Sequence, residues 1–289
     1  MIDLVWDMET GDPDDFLTLL LLLGHPAVRL KAVTITPGSA TQVGLVRRAL
    51  SWFGRDDLPV GAFDLDHPKE CVSGWHTEAY GPIEPSRDAL PGPELLRRVC
   101  DASTTLLTGA PPKNLGGALA APGFVVGRWV AQGGFAGEGV VPRERQLPKF
   151  AGRTTCPTFN LNGAPKAVLA ALAHPGIGER RFVSKNVCHG VVYDRALHAV
   201  VGERKAGSRS LELVWQGMER YLRDHEDGKA FHDPLAACCA IDPEVAEWAE
   251  VEVYREKGEW GARLAPGSGT WIIVGYDHAR FVEVLTARS

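Results

Sequence analysis

Five of the ten residues in the segment WDMETGDPDD, which spans positions 6–15, carry carboxylic acids: Asp7, Glu9, Asp12, Asp14 and Asp15. Like charges at such spacing raise one another's pKa values and oppose folding unless something compensates for them. The N-cap and the dipole of a following helix compensate for some of these acids. A divalent cation compensates for more, and oxygen ligands favour Ca²⁺ or Mg²⁺. The segment therefore predicts a metal-binding loop, with a solvated acidic turn and one helix cap as the alternative.

The composition excludes several classes of partner. Of the 289 residues, 45% are apolar and 23% are charged, which is typical of a globular protein with a large core. The net charge is −5 and the basic residues are spread along the chain, which indicates neither a nucleic-acid footprint nor a polybasic membrane patch. The longest apolar run, 16–23, is shorter than a membrane span, and no targeting signal precedes it. We therefore expect a cytoplasmic protein that binds a small molecule rather than nucleic acid or a membrane.

The cysteines indicate the same compartment. None of the six belongs to a C-x-x-C pair, so we expect reduced thiols and no zinc site. These cysteines are Cys71, Cys100, Cys156, Cys188, Cys238 and Cys239.

The elements that must position the acids alternate between strand and helix. The β-branched runs predict strands over 2–6, 28–36, 59–63, 104–108, 125–130 and 181–184. The helical periodicities predict helices over 14–24, 41–53, 94–102, 113–121, 164–173, 208–225 and 232–241. A long loop is expected over 133–156, and an antiparallel meander is expected over 251–254, 260–264 and 271–274.

This alternation predicts an α/β fold with a mostly parallel central sheet, flanked by helices, in a single domain over 1–289. Ligands of such sheets bind at the carboxyl ends of the strands. The segments 7–15, 37–41 and 109–114 should therefore lie on one face of the molecule.

Five segments, in this order along the chain, resemble the inosine-uridine type nucleoside hydrolases. In the first segment, the strand 2–6 is followed by Asp7 and Glu9, then by Gly11, and then by Asp14-Asp15 at the start of an apolar helix. The other four segments are AVTITPG at 32–38, LLTGAPPKNL at 106–115, TFNLN at 158–162 and FHDPLA at 231–236. The resemblance extends from residue 2 to about residue 241.

The resemblance implies a Rossmann-like open sheet and an enzyme that hydrolyses the N-glycosidic bond of ribonucleosides with one bound Ca²⁺. In that chemistry a carboxylate deprotonates a Ca-bound water, which attacks C1′ of the ribose, while the cation also holds the 2′- and 3′-hydroxyls. The ligand is a small nucleoside or nucleotide, and a homodimer or homotetramer is implied.

The resemblance also assigns metal and catalytic roles. Asp7 becomes the inner acid, and Glu9 becomes both the general base and a metal ligand. Asp15 becomes a bidentate ligand, Asp233 a distant carboxylate ligand, and Lys113 a ligand through its backbone carbonyl. Whether Glu9 or Asp12 is the base stays open.

Further residues are expected to bind the substrate. Asp14 and Asn160 would contact ribose hydroxyls, and His232 would assist departure of the base. His76 would belong to a mobile loop over the site. The alternatives are a helix start for His232-Asp233, a turn for Asn160 and an ordinary surface loop for His76. Packing is expected to outweigh base stacking for Trp75 and Tyr80, and His189 reads as structural.

The sequence departs from the family pattern at the substrate end. Glu9 replaces an aspartate in a loop one residue longer, and Ser39 replaces an asparagine that grips ribose. Thr158 replaces the acid that holds the 5′-hydroxyl, and Arg153 stands nearby. An arginine and threonine hydroxyls would bind a 5′-phosphate, so a 5′-modified ribosyl substrate becomes a hypothesis, against an Arg153 that points to solvent.

Two other functions remain open from the sequence alone. A haloacid dehalogenase-type phosphatase also places two acids after its first strand and uses Mg²⁺. That reading leaves Asp14-Asp15 and His232-Asp233 without a role. A ribosyl-binding relative with little turnover is the non-enzymatic alternative, because Glu9 and Ser39 depart from the family pattern.

Overall fold

The computed structural model describes residues 1–288. Within these residues, one eleven-stranded sheet forms the centre of the molecule, in the order β4-β3-β2-β1-β5-β6-β8-β13-β11-β12-β7. The strands are β1 (Ile2–Met8), β2 (Val28–Ile35), β3 (Val60–Ala62), β4 (Leu90–Pro91), β5 (Thr104–Thr108), β6 (Val126–Gln132), β7 (Thr155–Cys156), β8 (Ile177–Val183), β11 (Ala246–Glu256), β12 (Glu259–Leu264) and β13 (Thr270–Tyr276). A separate antiparallel pair consists of β9 (Val192–Tyr193) and β10 (Lys229–Ala230).

Helices cover both faces of the sheet. They are α1 (Pro13–Gly24), α2 (Ala40–Trp52), α3 (Gly74–Tyr80), α4 (Gly92–Val99), α5 (Lys113–Leu119), α6 (Phe159–Gly163), α7 (Pro165–Ala173), α8 (Lys185–Cys188), α9 (Arg195–Arg204), α10 (Arg209–Asp224), α11 (His232–Ile241) and α12 (His278–Leu285). No helix within residues 1–288 has the length and apolarity that crossing a lipid bilayer requires.

β1 lies at the centre of the parallel part of the sheet, between β2 and β5. Its alternate side chains enter two different cores, because successive residues of a strand point to opposite faces. Trp6 packs with the apolar residues of α1, α10 and α11, whereas Val5 packs with those of α4, α5 and α7. Burial on both faces explains why the strand is apolar up to the point where the acids begin.

The predicted α/β fold and its mostly parallel sheet are confirmed. The antiparallel C-terminal strands are also present, but their order differs from a meander. β13 lies between β8 and β11: it runs parallel to β8 and pairs with the side of β11 opposite β12, so the three strands extend the central sheet. The helices α3, α6, α8, α9 and α12 were not predicted. Three of these five, α3, α6 and α8, have seven residues or fewer, too short for a periodic signal.

Candidate active site

A cavity of ≈ 550 Å³ opens at the carboxyl ends of β1, β5 and β6. The loop after β1 and the first residues of α1, α6, α8 and α11 complete its wall. The lining residues are Glu9, Gly11, Asp12, Asp14, Asp15, Gly109, Gln132, Gly133, Thr158, Phe159, Asn160, Lys185, His189, His232 and Asp233. The position agrees with the expectation that ligands bind where parallel strands end.

Three buried carboxylates converge on this cavity. Asp14, Asp15 and Asp233 each offer one oxygen, and these oxygens lie within 4.8 Å of one another. Burial raises the pKa values of Asp15 and Asp233, and the neighbouring carboxylates raise them further. Asp233 Oδ1 is buried without a hydrogen-bond partner. Hard oxygen donors with unsatisfied charge fit Ca²⁺ or Mg²⁺.

Glu9 is half-buried beside this cluster. Its backbone N–H donates to Asp15 Oδ1 at 3.0 Å, which fixes the end of the loop against the start of α1. Burial, and then the charges of Asp12 and Asp14, raises the pKa of Glu9 to about 7. A carboxylate with that pKa can accept a proton near neutral pH.

Asp7 lies behind the cavity wall rather than on it. Its Oδ1 accepts hydrogen bonds from Thr34 Oγ1 at 2.7 Å and from Asn114 Nδ2 at 2.8 Å. Burial raises the pKa of Asp7 to about 7 against these two bonds. Asp7 therefore holds β1, β2 and the start of α5 together beneath the acidic loop.

Asp14 joins the N-terminal acids to the His-Asp-Pro segment. Its Oδ2 accepts the backbone N–H groups of His232 at 3.1 Å and Asp233 at 3.2 Å. Its Oδ1 lies 3.3 Å from the ammonium of Lys229, which is also 3.1 Å from Asp12. Sequence reasoning missed Lys229, because a single lysine 215 residues away from Asp14 carries no local signal of this contact.

Two imidazoles form another part of the wall. The rings of His189 and His232 lie 4.6 Å apart with an interplanar angle of 31°. Burial lowers the pKa of His232, and His232 Nε2 has no hydrogen-bond partner. His189 Nδ1 lies 2.9 Å from Lys149 Nζ. The sequence indicated a structural role for His189, and the structure places this residue on the cavity wall.

Asn160 and Thr158 each present an unpartnered buried oxygen. The Asn160 amide donates to Gly109 O at 2.8 Å and to Gln132 Oε1 at 2.7 Å, which leaves its Oδ1 without a partner. The Thr158 hydroxyl is also unpartnered, and the residue is 2% exposed. Buried polar atoms rarely stay unpaired, so both oxygens suit a polar ligand.

Two predicted substrate contacts lie away from the cavity. Ser39 caps α2: its hydroxyl accepts Gln42 N–H at 3.3 Å and donates to Glu70 O. His76 is fully buried in α3, and its ring packs 5.5 Å from that of Phe16. Neither residue lines the cavity, because the Ser39 hydroxyl bonds to backbone groups and the His76 ring packs in the core against Phe16.

Two further expected residues also lie elsewhere. The Arg153 guanidinium lies 3.6 Å from Glu259, and the side chain is 45% exposed. Its expected contact with a 5′-phosphate stays a prediction. Lys113 begins α5, and its ammonium lies 5.7 Å from the centre of the Phe63 ring. Its role as a backbone-carbonyl ligand stays a prediction.

The aromatic residues of α3 serve packing. Trp75 Nε1 donates to Gly217 O at 3.1 Å, and the Tyr80 hydroxyl donates to Leu213 O at 2.9 Å. Both bonds fasten α3 to α10, in agreement with the packing role that the sequence favoured.

Comparison with known proteins identifies the family. The family model described as "Inosine-uridine preferring nucleoside hydrolase" matches residues 4–283. The chain therefore belongs to the inosine-uridine preferring nucleoside hydrolase family. It is an N-ribohydrolase, an enzyme of a metal-dependent family that acts on small-molecule nucleosides.

Solved structures of the family share the fold. A plant nucleoside hydrolase gives a TM-score of 0.74 at 19% identity, over 99% of this chain and 98% of that chain. The inosine-uridine preferring nucleoside hydrolase from Bacillus anthracis gives 0.71 at 17% identity, over 99% and 98% of the two chains. The purine-preferring ribonucleoside hydrolase from Gardnerella vaginalis gives 0.70 at 16% identity, over 98% and 96%. A protein of Aquifex aeolicus (strain VF5) is 27% identical over 94% of both chains.

Proposed function

We propose that the cavity hydrolyses the N-glycosidic bond of a ribosyl compound with one divalent cation, Ca²⁺ or Mg²⁺. Glu9, Asp15 and Asp233 would hold the cation, together with the backbone carbonyl of Lys113. The observation that carries the proposal is the convergence of buried carboxylates, one of which, Asp233, keeps an unpartnered oxygen in the cavity. A bound divalent cation would acidify a water and orient two ribose hydroxyls.

The protein's own side chains would accept the proton, bind the ribose and contact the departing base. Glu9 accepts the proton of the attacking water, for which a pKa of about 7 is suited. Asp14 and the free oxygen of Asn160 accept hydrogen bonds from ribose hydroxyls. His232 Nε2, unpartnered within the cavity wall, contacts the departing base. Burial lowers the pKa of His232, so a proton that this ring carries is released to that base more readily than from an ordinary imidazolium.

Replacement of Glu9 by glutamine tests the base. We expect Glu9→Gln to lower kcat by roughly a hundredfold or more, because the amide cannot accept the proton. Free-base release from inosine and uridine would be measured alongside Ca²⁺ binding by calorimetry, which separates catalysis from metal loss. Asp12→Asn is the matched variant, since Asp12 is exposed and paired with Lys229. Full activity in Glu9→Gln with loss in Asp12→Asn would transfer the role to Asp12.

The same assay separates the other two functions. A haloacid dehalogenase-type phosphatase would release phosphate without free base. A ribosyl-binding relative would be stabilised by ligand in the presence of Ca²⁺ and form no product. The contact between Asp14 and the His232-Asp233 backbone favours hydrolysis over the phosphatase reading, which gives neither segment a role. The cytoplasmic location and the homodimer or homotetramer stay predictions.

A further inference from the structure

We propose that the preferred substrate carries an anionic group, a phosphate or a carboxylate, and that Lys185 and Thr158 bind it. This inference rests on the proposed hydrolysis and adds the chemical class of the substrate. The two side chains belong to a part of the cavity wall formed by α8 and by the residue preceding α6.

Lys185 is a half-buried cation on the cavity wall. Its ammonium donates one hydrogen bond, to Pro157 O at 3.0 Å, and forms no ion pair with a carboxylate of residues 1–288. An ammonium has three donors, so two remain for a ligand. Lys229, by contrast, lies against Asp12 and Asp14. Because partly desolvating a charge that no carboxylate neutralises costs free energy, Lys185 suits a ligand that brings a negative charge.

Thr158 provides an independent observation at the same place. The residue is 2% exposed, it lines the cavity, and its hydroxyl has no hydrogen-bond partner. It directly follows Pro157, whose carbonyl holds the Lys185 ammonium. One cavity is therefore lined by a cation and by a free hydroxyl, which are donors that phosphate and carboxylate oxygens accept.

The positive charge near Lys185 comes from lysines and not from the neighbouring His189 imidazole. Burial, and then the charges of His232, Lys149 and Lys185, lowers the pKa of His189 to about 3. His189 is therefore neutral at physiological pH. The positive charge at this wall is carried by Lys149 and Lys185, and only Lys185 lines the cavity.

The anion has two possible positions on a ribosyl compound. It is either a phosphate on the 5′-carbon or a carboxylate on the base. The Arg153 guanidinium, which the sequence suggested for the first position, faces Glu259 instead. Lys185, which the sequence did not single out, provides the cation on the cavity wall instead.

Three compounds separate these possibilities: uridine, uridine 5′-monophosphate and orotidine, which carries a carboxylate on the uracil ring. With Ca²⁺ present, we expect kcat/KM for one of the two anionic compounds to exceed that for uridine by about tenfold or more, the worth of a charge-assisted hydrogen bond. Preference for the monophosphate assigns the 5′-position, and preference for orotidine assigns the base. Faster turnover of uridine than of both would overturn the inference.

Variants show whether Lys185 provides the preference. Lys185→Met should lower kcat/KM for the anionic compound by about ten- to a hundredfold and leave that for uridine nearly unchanged. Thr158→Val should lower it less, and Lys185→Arg should retain the preference because the charge stays. Lys166→Met, which removes an exposed lysine of α7, is the control. An equal loss for uridine and the anionic compound in Lys185→Met would show a structural role and contradict the inference.

A binding measurement distinguishes failure of the inference from failure of the proposed function. If neither inosine nor any of the three compounds is hydrolysed, the proposed function is contradicted, yet ligand binding still reports on Lys185. Ribose 5-phosphate and uracil-6-carboxylate would then be compared with ribose and uracil by thermal shift. Greater stabilisation by one of the anions, lost in Lys185→Met, supports the inference. Equal stabilisation by anionic and neutral compounds overturns it.

Discussion

At the scale of single residues, Lys229 provides a positive charge that the protein itself places against the acidic segment. Its side chain is 5% exposed, and its ammonium lies against Asp14 and Asp12. Burial alone would lower the pKa of Lys229, but Asp14 and Asp12 raise it above its ordinary value. One buried cation thus offsets part of the repulsion among the acids before any metal binds.

Removal of this counter-charge should destabilise the fold. We expect Lys229→Met to lower the free energy of unfolding by about 3–5 kcal/mol, because it leaves the buried Asp14 carboxylate unpaired. Urea unfolding without added metal would measure the change. Arg29→Met breaks the exposed ion pair with Asp3 and should cost at most about 1 kcal/mol. Equal losses in the two variants would show that the Lys229 contact contributes no more than a surface pair.

Buried His76 should make the protein sensitive to acid. Burial lowers the pKa of His76 from 6.5 to about 4, so between these values the unfolded chain binds more protons than the folded one. Stability is therefore complete above pH 6.5 and falls as the pH drops towards 4, by ~2 kcal/mol at pH 5.

Unfolding free energies at pH 8 and pH 5 would measure this loss. His76→Gln should reduce the difference between the two pH values, whereas His278→Gln, at an exposed position, should leave it unchanged. An unaltered difference in His76→Gln would assign the acid sensitivity to other groups.

At the scale of elements, the first turn of α2 explains the position of Ser39. From the sequence we expected this residue to contact the ligand, but it caps the helix instead. The Ser39 hydroxyl and the Gln42 side chain form a reciprocal capping box at the first turn. This arrangement satisfies N–H groups that a helix start leaves without partners. α3 is fastened to α10 by different bonds, in which Trp75 and Tyr80 donate to backbone carbonyls of α10.

Two substitutions of Ser39 separate capping from ligand binding. Ser39→Ala should lower the free energy of unfolding by about 1 kcal/mol, and Ser39→Asn should preserve stability because asparagine caps equally well. Thermal unfolding and KM for a hydrolysed nucleoside would be measured together. A raised KM in Ser39→Ala at unchanged stability would restore the expected substrate contact.

At the scale of the whole molecule, the sheet brings the two ends of the site together. The acids follow β1 near the start of the chain, whereas Asp233 lies in α11 near its end. The packing of α1 against α11 in one core places their first turns side by side. Because the shared cluster is negatively charged, a cation that binds there should stabilise the entire fold.

Ca²⁺ should therefore raise the free energy of unfolding. At a concentration of one hundred times Kd the gain is about 2.7 kcal/mol, and a chelator should reverse it. Asp233→Asn should lose most of the gain, because it removes one charged ligand. Asp56→Asn, which removes an exposed carboxylate, should keep the gain. Calorimetric melting would measure these differences, and a cation effect of equal size in all three proteins would place the ion elsewhere.

The sequence by itself determined the acidic loop, the alternation of strands and helices and the parallel sheet. These features depend on periodicity and on residue type within a few positions, so they can be read locally. The end of β1 followed by acids already indicated the face that carries Asp14 and Asp15, and the family resemblance added Asp233 to it.

The tertiary structure alone decided which distant side chains touch. It placed Lys229 against Asp14 and the ring of His189 beside that of His232, and it set Lys185 rather than Arg153 on the cavity wall. Such contacts depend on the path of the chain over long separations, and lysine and arginine have long flexible stems that can point in many directions. Local sequence patterns do not contain that information.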